Sequence, residues 1–251
     1  MDPSGAPRSE MLVNLARRLS LYKPAHSLDE PSSENLTGQA DDKVAQNVGL
    51  NSKSVTNPIT ITPPMSKSKR AAVLICLFEG ESGDLCVVLT KRSSKLSSHP
   101  GEVALPGGKM EEGDANDIET ALREAKEEIG LDPSIVHVIT LLESFTNKKG
   151  MTVIPVVGLV WDRSSMNLVA NADEVDSIFY APLEMFLKNE NRTEEEREWM
   201  GNKYLLHFFN HQSKDEVYII WALTAGILIN AATVIYQRPP DFEERRPIFW
   251  K

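Results

Sequence analysis

A chain of 251 residues, 41% hydrophobic and 25% charged, can bury a core, and its length suits one large domain or two small ones. The net charge of −9 argues against a general nucleic-acid or anionic-membrane binder, while leaving room for a local basic cluster facing a polyanionic ligand. The two cysteines, Cys76 and Cys86, lie in apolar runs without a CxxC or a zinc-spaced histidine, and read as buried free thiols of a reducing compartment.

Residues 1–68 are rich in Ser, Asn, Pro and Asp and lack sustained periodicity, so they are expected to be mostly disordered, with one domain over 69–251. Within them LVNLARRLSLY, Leu12 to Tyr22, fits an amphipathic helix with Arg17 and Arg18 exposed. Residues before Ser66, this helix included, are expected to add little core. Asp2 and Glu10 weaken a mitochondrial transit reading and no secretory signal is present, which leaves an intracellular protein, cytoplasmic or mitochondrial.

From Ala71 the pattern changes to strands. AAVLICLF and LCVVLTKR flank EGESGD as a hairpin, and runs at Ile135 to Leu142, Met151 to Trp161, Ile178 to Ala181, Tyr204 to Phe209 and Val217 to Ile220 are expected to complete one mixed sheet. An acidic helix and a C-terminal helix would cover its two faces, giving an α/β/α sandwich. Val217 to Tyr236 is long enough to span a bilayer, but Gly226, Asn230 and two threonines dilute it, and the VYII start favours a buried strand followed by a helix. A protein without a membrane partner is expected.

The stretch LPGGKMEEGDANDIETALREAKEEIGL, Leu105 to Leu131, carries the chemistry. Asn116 and Glu119 form a capping box, and Gly130 with Pro133 stops the helix. Glu124, Glu127 and Glu128 then fall within roughly a 100° arc, apart from the apolar stripe Ile118, Ala121, Leu122, Ala125 and Ile129. Like charges at this spacing cost about 0.2–0.5 kcal/mol per pair, so a cation is needed to offset them. A hard divalent metal, Mg²⁺ or Mn²⁺, suits carboxylate oxygens and keeps positions for water and phosphate. The preceding Pro106-Gly107-Gly108 turn lets backbone approach a ligand closely.

Arg123, Glu124, Ala125, Glu127, Glu128, Gly130 and Leu131 resemble the second half of the Nudix box, the signature of hydrolases that split nucleoside diphosphates linked to another group. The first half departs: Asp114 stands where the box has glutamate, one residue too far from Arg123, so the duty of supporting the arginine falls to Asp114 or Asp117. Upstream, Leu89-Thr90-Lys91-Arg92-Ser93, Gly101 and Leu105-Pro106-Gly107-Gly108 resemble the motif LLTxR[SA], three residues, Arg, three residues, Gly, three residues, FPGG of Nudix enzymes acting on coenzyme A. Ser97 replaces its second arginine and Leu105 its phenylalanine. Residues 70–250 are similar to the plant coenzyme A diphosphatases of this group.

The resemblance implies a Nudix fold, and hydrolysis of the diphosphate of coenzyme A and its thioesters to adenosine 3',5'-bisphosphate and a 4'-phosphopantetheine product. Glu124 and Glu128 are the expected principal metal ligands, Glu127 a bridging or second-metal ligand with a part in catalysis, and the Gly107 carbonyl a further donor. Arg123 would orient carboxylates. Thr90, Arg92, Ser93, His99, Gly101 and Gly108 are the expected substrate contacts. Glu174, in NADEVDSIFYAPL, is the expected general base, with Asp173 as its rival. A homodimer is compatible with the sequence. The competing readings are a Nudix enzyme for ADP-ribose, NADH or oxidised nucleotides, and a non-catalytic sensor of a diphosphate ligand.

Overall fold

The computed structural model describes residues 9–24, 69–214 and 216–250; the remainder of the expected disordered segment lies outside the described residues. The elements in chain order are α1 (Glu10–Leu19), β1 (Arg70–Glu79), β2 (Leu85–Arg92), β3 (Val103–Ala104), β4 (Gly107–Lys109), α2 (Asp117–Ile129), β5 (Val136–Leu141), β6 (Phe145–Thr146), β7 (Thr152–Val160), β8 (Val175–Pro182), β9 (Arg192–Trp199), β10 (Asn202–Ser213), β11 (Glu216–Trp221) and α3 (Ala222–Tyr236).

The larger sheet has the order β3-β2-β1-β7-β5, with β4 on β1, β6 on β7 and β8 on β2. It is mixed: β1 and β7 run parallel from Arg70↔Thr152 to Leu77↔Leu159, and the other pairs are antiparallel. Alternation along the strands sends Ile75, Leu77, Val87 and Leu89 to a core shared with α3, and Leu74, Cys76 and Val88 to a core shared with Ala121, Ala125 and Ile129 of α2. This is the expected α/β/α sandwich. Both cysteines are free, and burial pushes each thiol up to about 12, which keeps them unreactive.

One expectation is corrected. Tyr204–Phe209 and Val217–Ile220 do not join the mixed sheet; they belong to β10 and β11 of a separate antiparallel sheet, β11-β10-β9. Strand β9, RTEEEREW, is almost wholly exposed and shows neither an apolar run nor alternation. The hairpin turn makes it a strand: Met200 and Gly201 both adopt positive φ, 49° and 78°, the geometry of the two-residue turns that match strand twist. The segment after it divides as expected into β11 and α3, and no helix among the described residues is long and apolar enough to cross a membrane.

Helix α1 is present but not loose. Leu12, Leu15 and Leu19, spaced i, i+3 and i+7, are 0%, 4% and 1% exposed and pack into the α3-side core. The Arg18 guanidinium donates to the Ile235 carbonyl near the C-terminal end of α3, where a cation meets the negative end of the helix dipole. The expectation that residues before Ser66 add little core therefore fails for this helix.

Candidate active site

Helix α2 begins and ends as its sequence requires. The Asn116 side chain accepts from the Glu119 N–H at 3.0 Å, Glu119 reaches back to the Ala115 N–H at 2.8 Å, and Gly130 closes the helix in the left-handed region at φ 66°. The glycine turn is pressed between this helix and β1. A Cβ on Gly107, which has φ 152°, would strike the Ala72 carbonyl, and one on Gly108 would occupy the space of the Glu124 carboxylate. Glycine at both positions lets the turn sit flush against the acidic face.

Glu128 is 3% exposed. Its Oε2 accepts from the Gly107 N–H at 3.1 Å, and the Arg92 guanidinium stands 3.6 Å from Oε1. Burial pushes its carboxyl up to about 7; Gly107 and Arg92 pull the other way, and the charges of Glu124 and Glu174 add to the rise. Burial also raises Glu124, opposed by Arg123 and assisted by Glu127 and Glu174. The helix thus presents two desolvated carboxylates to the turn, with Arg92 beside the inner one and Arg123 shared among Glu124, Glu127 and Asp114, which leaves an excess of negative charge.

Arg123 has its donors committed. It binds Asp114 in a bidentate fork, Nε to Oδ1 at 2.9 Å and Nη2 to Oδ2 at 3.0 Å, and also reaches the Lys109 carbonyl at 3.1 Å, Glu124 at 3.1 Å and Glu127 at 3.0 Å. The guanidinium beside Asp114 holds that carboxyl far below the usual range, and Asp114 raises the arginine in turn. Asp114 therefore fills the place of the missing glutamate; the extra residue between it and Arg123 is absorbed in the turn before the helix. Asp117 does not share this duty, because it pairs with Arg70 at 2.6 Å.

Glu174 lies in the turn before β8, and its charge acts on both Glu124 and Glu128. Asp173 is exposed and does not figure among the charges acting on either. Glu174 is placed by Asn171, whose backbone N–H bonds the Glu128 carbonyl at 2.9 Å while its carbonyl accepts from the Glu174 N–H at 2.9 Å. Sequence reasoning missed Asn171; its signal is the Asx turn within Asn-Ala-Asp-Glu, seen in the Asp173 N–H bond to Asn171 Oδ1 at 3.2 Å.

The upstream motif divides. Arg92 faces Glu128, and Gly101 donates to the Arg92 carbonyl at 3.1 Å. Thr90 and Ser93 are 1% and 0% exposed; Thr90 bonds the Ala104 carbonyl, and Ser93 donates its N–H to the Glu174 carbonyl at 2.8 Å. Enclosed in this way, they hold the sheet edge and the Glu174 turn rather than meeting a ligand. His99 is exposed and bonds Glu102 at 2.9 Å. Lys91, on the opposite face of β2 from Arg92, pairs with Glu216 of β11.

Hard oxygen donors and raised carboxyls are what a divalent cation relieves, and Glu124 and Glu128 fit that role. Glu127 does not yet share it: its carboxylate is half exposed and held by Arg123, and among the described residues no three carboxylate, imidazole or thiolate groups are gathered around one point.

A model of the NUDIX domain matches residues 68–205. The chain is 59% identical over 207 residues to Nudix hydrolase 15, mitochondrial, of Arabidopsis thaliana, spanning 82% of this chain and 72% of that protein. It is 52% identical over 241 residues to Nudix hydrolase 22, chloroplastic, of the same plant, spanning 95% and 78%. A third relative, the peroxisomal coenzyme A diphosphatase NUDT7 of Mus musculus, is 34% identical over 178 residues, spanning 70% and 74%.

Proposed function

The chain belongs to the Nudix hydrolase family, and from that premise we propose that it cleaves the diphosphate of coenzyme A and its thioesters, releasing adenosine 3',5'-bisphosphate and a 4'-phosphopantetheine product. The single observation that carries the hydrolytic reading is the pair Glu124 and Glu128 held against the Gly107–Gly108 turn, with the Glu128 carboxyl pushed up to about 7. The substrate reading is supported by the Leu89–Ser93 and Leu105–Gly108 segments and by the mouse relative named as a coenzyme A diphosphatase.

Glu124 and Glu128 would hold Mg²⁺ or Mn²⁺, with Glu127 and the Gly107 carbonyl as further donors; such an ion neutralises diphosphate charge and lowers the pKa of bound water. Arg123 fixes the carboxylates through Asp114. Arg92, freed from Glu128 when that carboxylate is neutralised, can present its fork to phosphate oxygens. Glu174 accepts the proton of the attacking water at its carboxylate, which Asn171 orients through Nδ2 to Oε1 at 3.4 Å. A sensor without catalysis would not require Glu174, whose charge acts on both Glu124 and Glu128. Of the two compartments expected, the mitochondrial one is supported by the name of the Arabidopsis relative at 59% identity.

The test is incubation of coenzyme A with the protein and Mg²⁺ or Mn²⁺ in ¹⁸O-labelled water, with products read by mass spectrometry. Adenosine 3',5'-bisphosphate should appear, with the label on one phosphate only. Arg92→Lys should slow the reaction, because lysine cannot reproduce a bidentate grip. Absence of adenosine 3',5'-bisphosphate at any metal concentration refutes the substrate.

A further inference from the structure

A cavity of about 220 Å³ adjoins the glycine turn between the larger sheet and the start of α3. Its wall is apolar: Val73 of β1, Leu105, Val153 of β7, and Leu223 and Ile227 of α3, each buried in the α3-side core or packed against it. The Thr224 hydroxyl, also on the wall, is committed to the Val103 carbonyl, to which it donates at 3.0 Å. The volume falls below the range of about 300–1,000 Å³ typical of whole small-molecule sites, so the cavity suits one apolar fragment of a larger ligand.

Gly107 and Gly108 line this cavity and also meet the acidic helix. Gly107 donates its N–H to Glu128 at 3.1 Å, and a Cβ on Gly108 would enter the Glu124 carboxylate, whereas a Cβ on Gly107 would come within 2.9 Å of Val73 Cγ1 on the cavity wall. The turn is therefore a thin partition between the carboxylates that place a diphosphate and an apolar hollow. The group that reaches the hollow is the one esterified directly to that diphosphate. In ADP-ribose and NADH each such group is a ribose, and in 8-oxo-dGTP it is a deoxyribose, all of them bearing hydroxyls. In coenzyme A one of the two is the pantoyl unit, whose second carbon from the phosphate ester oxygen carries two methyl groups. Methyl groups gain from leaving water here, while a hydroxyl among these side chains loses hydrogen bonds.

We infer that this cavity seats the pantoyl gem-dimethyl group, and that Val73, Val153 and Leu223 thereby select coenzyme A over sugar-linked diphosphates, a placement that rests on the coenzyme A reading above. Selection then acts beside the reacting phosphates, where free coenzyme A and every thioester are chemically identical. An apolar pocket of this kind separates ligands differing by a methylene or a hydroxyl by roughly tenfold to a hundredfold. That is enough to set the order of substrates without any contact to the thiol end or to the adenine.

The experiment compares kcat/KM for coenzyme A and for an analogue in which hydrogens replace the two pantoyl methyl groups, in the wild type, Leu223→Trp and Leu223→Ala, with an unfolding midpoint for each protein. The two substrates share diphosphate, adenosine and thiol, so their ratio reads what the methyl groups touch. Each methyl seated against apolar wall is worth up to about fourfold, and the wild type should therefore prefer coenzyme A by about tenfold. Leu223→Trp fills the hollow from its partly buried edge and should reduce that preference to about twofold or less, while Leu223→Ala, which removes part of the wall, should reduce it to about fourfold. Dephospho-coenzyme A keeps both methyl groups, so its ratio to coenzyme A should be the same in all three proteins. A wild type that hydrolyses both substrates equally well overturns the inference and leaves the reaction standing. So does a preference that Leu223→Ala and a folded Leu223→Trp retain in full; should Leu223→Trp not fold, the result for Leu223→Ala decides alone. Failure of the wild type to hydrolyse coenzyme A overturns the substrate reading itself.

Discussion

Glu128→Gln should make the metal-free protein more stable at pH 8 while abolishing catalysis. The carboxyl of Glu128 rests at about 7 in the folded chain against an ordinary 4.5, with burial as the main cause. Each unit corresponds to about 1.36 kcal/mol, so ionising this group inside the fold costs up to ~3 kcal/mol. The sign follows from proton binding. Between about 4.5 and 7 the folded state holds the proton more tightly than the unfolded one, so the wild type loses stability as pH rises through that window and the loss is complete above it. Glutamine retains an acceptor for the Gly107 N–H and carries no charge, but its amide group faces Arg92, which trims the gain to about 1–3 kcal/mol. Urea unfolding in EDTA at pH 8 and pH 4.5 reads this directly: a clear gain at the higher pH and little at the lower. Adding Mg²⁺ should then stabilise the wild type more than the variant, because only the wild type has the ligand set. Unfolding midpoints that coincide at pH 8 refute the placement of Glu128 as a desolvated, metal-seeking carboxylate.

Three further outcomes follow from other parts of the fold. Asp114→Asn should cost about 2 kcal/mol in denaturant unfolding and lower kcat more than it raises KM, since Arg123 loses the fork that orients Glu124 and Glu127. Acid should destabilise the wild type through His207, which is 6% exposed and, because of burial and the Arg192 guanidinium at 2.8 Å, titrates at about 4 in the folded chain against 6.5 ordinarily. Its neutral form is the folded one, so stability present above 6.5 falls by up to ~3 kcal/mol as pH drops through that interval, and a His207→Phe variant should lose this slope in unfolding titrations. Removing residues 1–24 strips Leu12, Leu15 and Leu19 from the core, each worth about 1.5–3 kcal/mol before the entropy of ordering is subtracted; calorimetry should show Tm lower by about 5 °C or more, and an unchanged Tm would contradict the docking of α1.

The helix carrying the glutamates was legible because local signals agree: a capping pair, a left-handed glycine stop and an apolar stripe separate from the acidic one. The mixed sheet was legible from its apolar runs. Strand β9 was not, since an exposed acidic strand has no burial pattern and depends on the Met200–Gly201 turn and its partner β10. Helix α1 was visible as an amphipathic stripe, but sequence does not say where such a stripe finds its apolar partner, which is α3 and the sheet. Within the site, the substitution of aspartate at 114 left two candidates open, and only distance distinguishes Asp114 on Arg123 from Asp117 on Arg70. Thr90 and Ser93 match a motif yet point inward, because motif membership does not report which face of a strand a side chain takes.

The most direct test of the account is a comparison of kcat/KM, in saturating Mg²⁺ and again in Mn²⁺, for coenzyme A and an acyl thioester against ADP-ribose, NADH and 8-oxo-dGTP. A coenzyme A species should be preferred over all three, with activity abolished by EDTA and by Glu124→Gln. ADP-ribose, NADH or 8-oxo-dGTP exceeding every coenzyme A species by tenfold, about 1.4 kcal/mol of transition-state preference, would contradict the coenzyme A assignment, and full activity of Glu124→Gln would contradict the role given to the acidic helix.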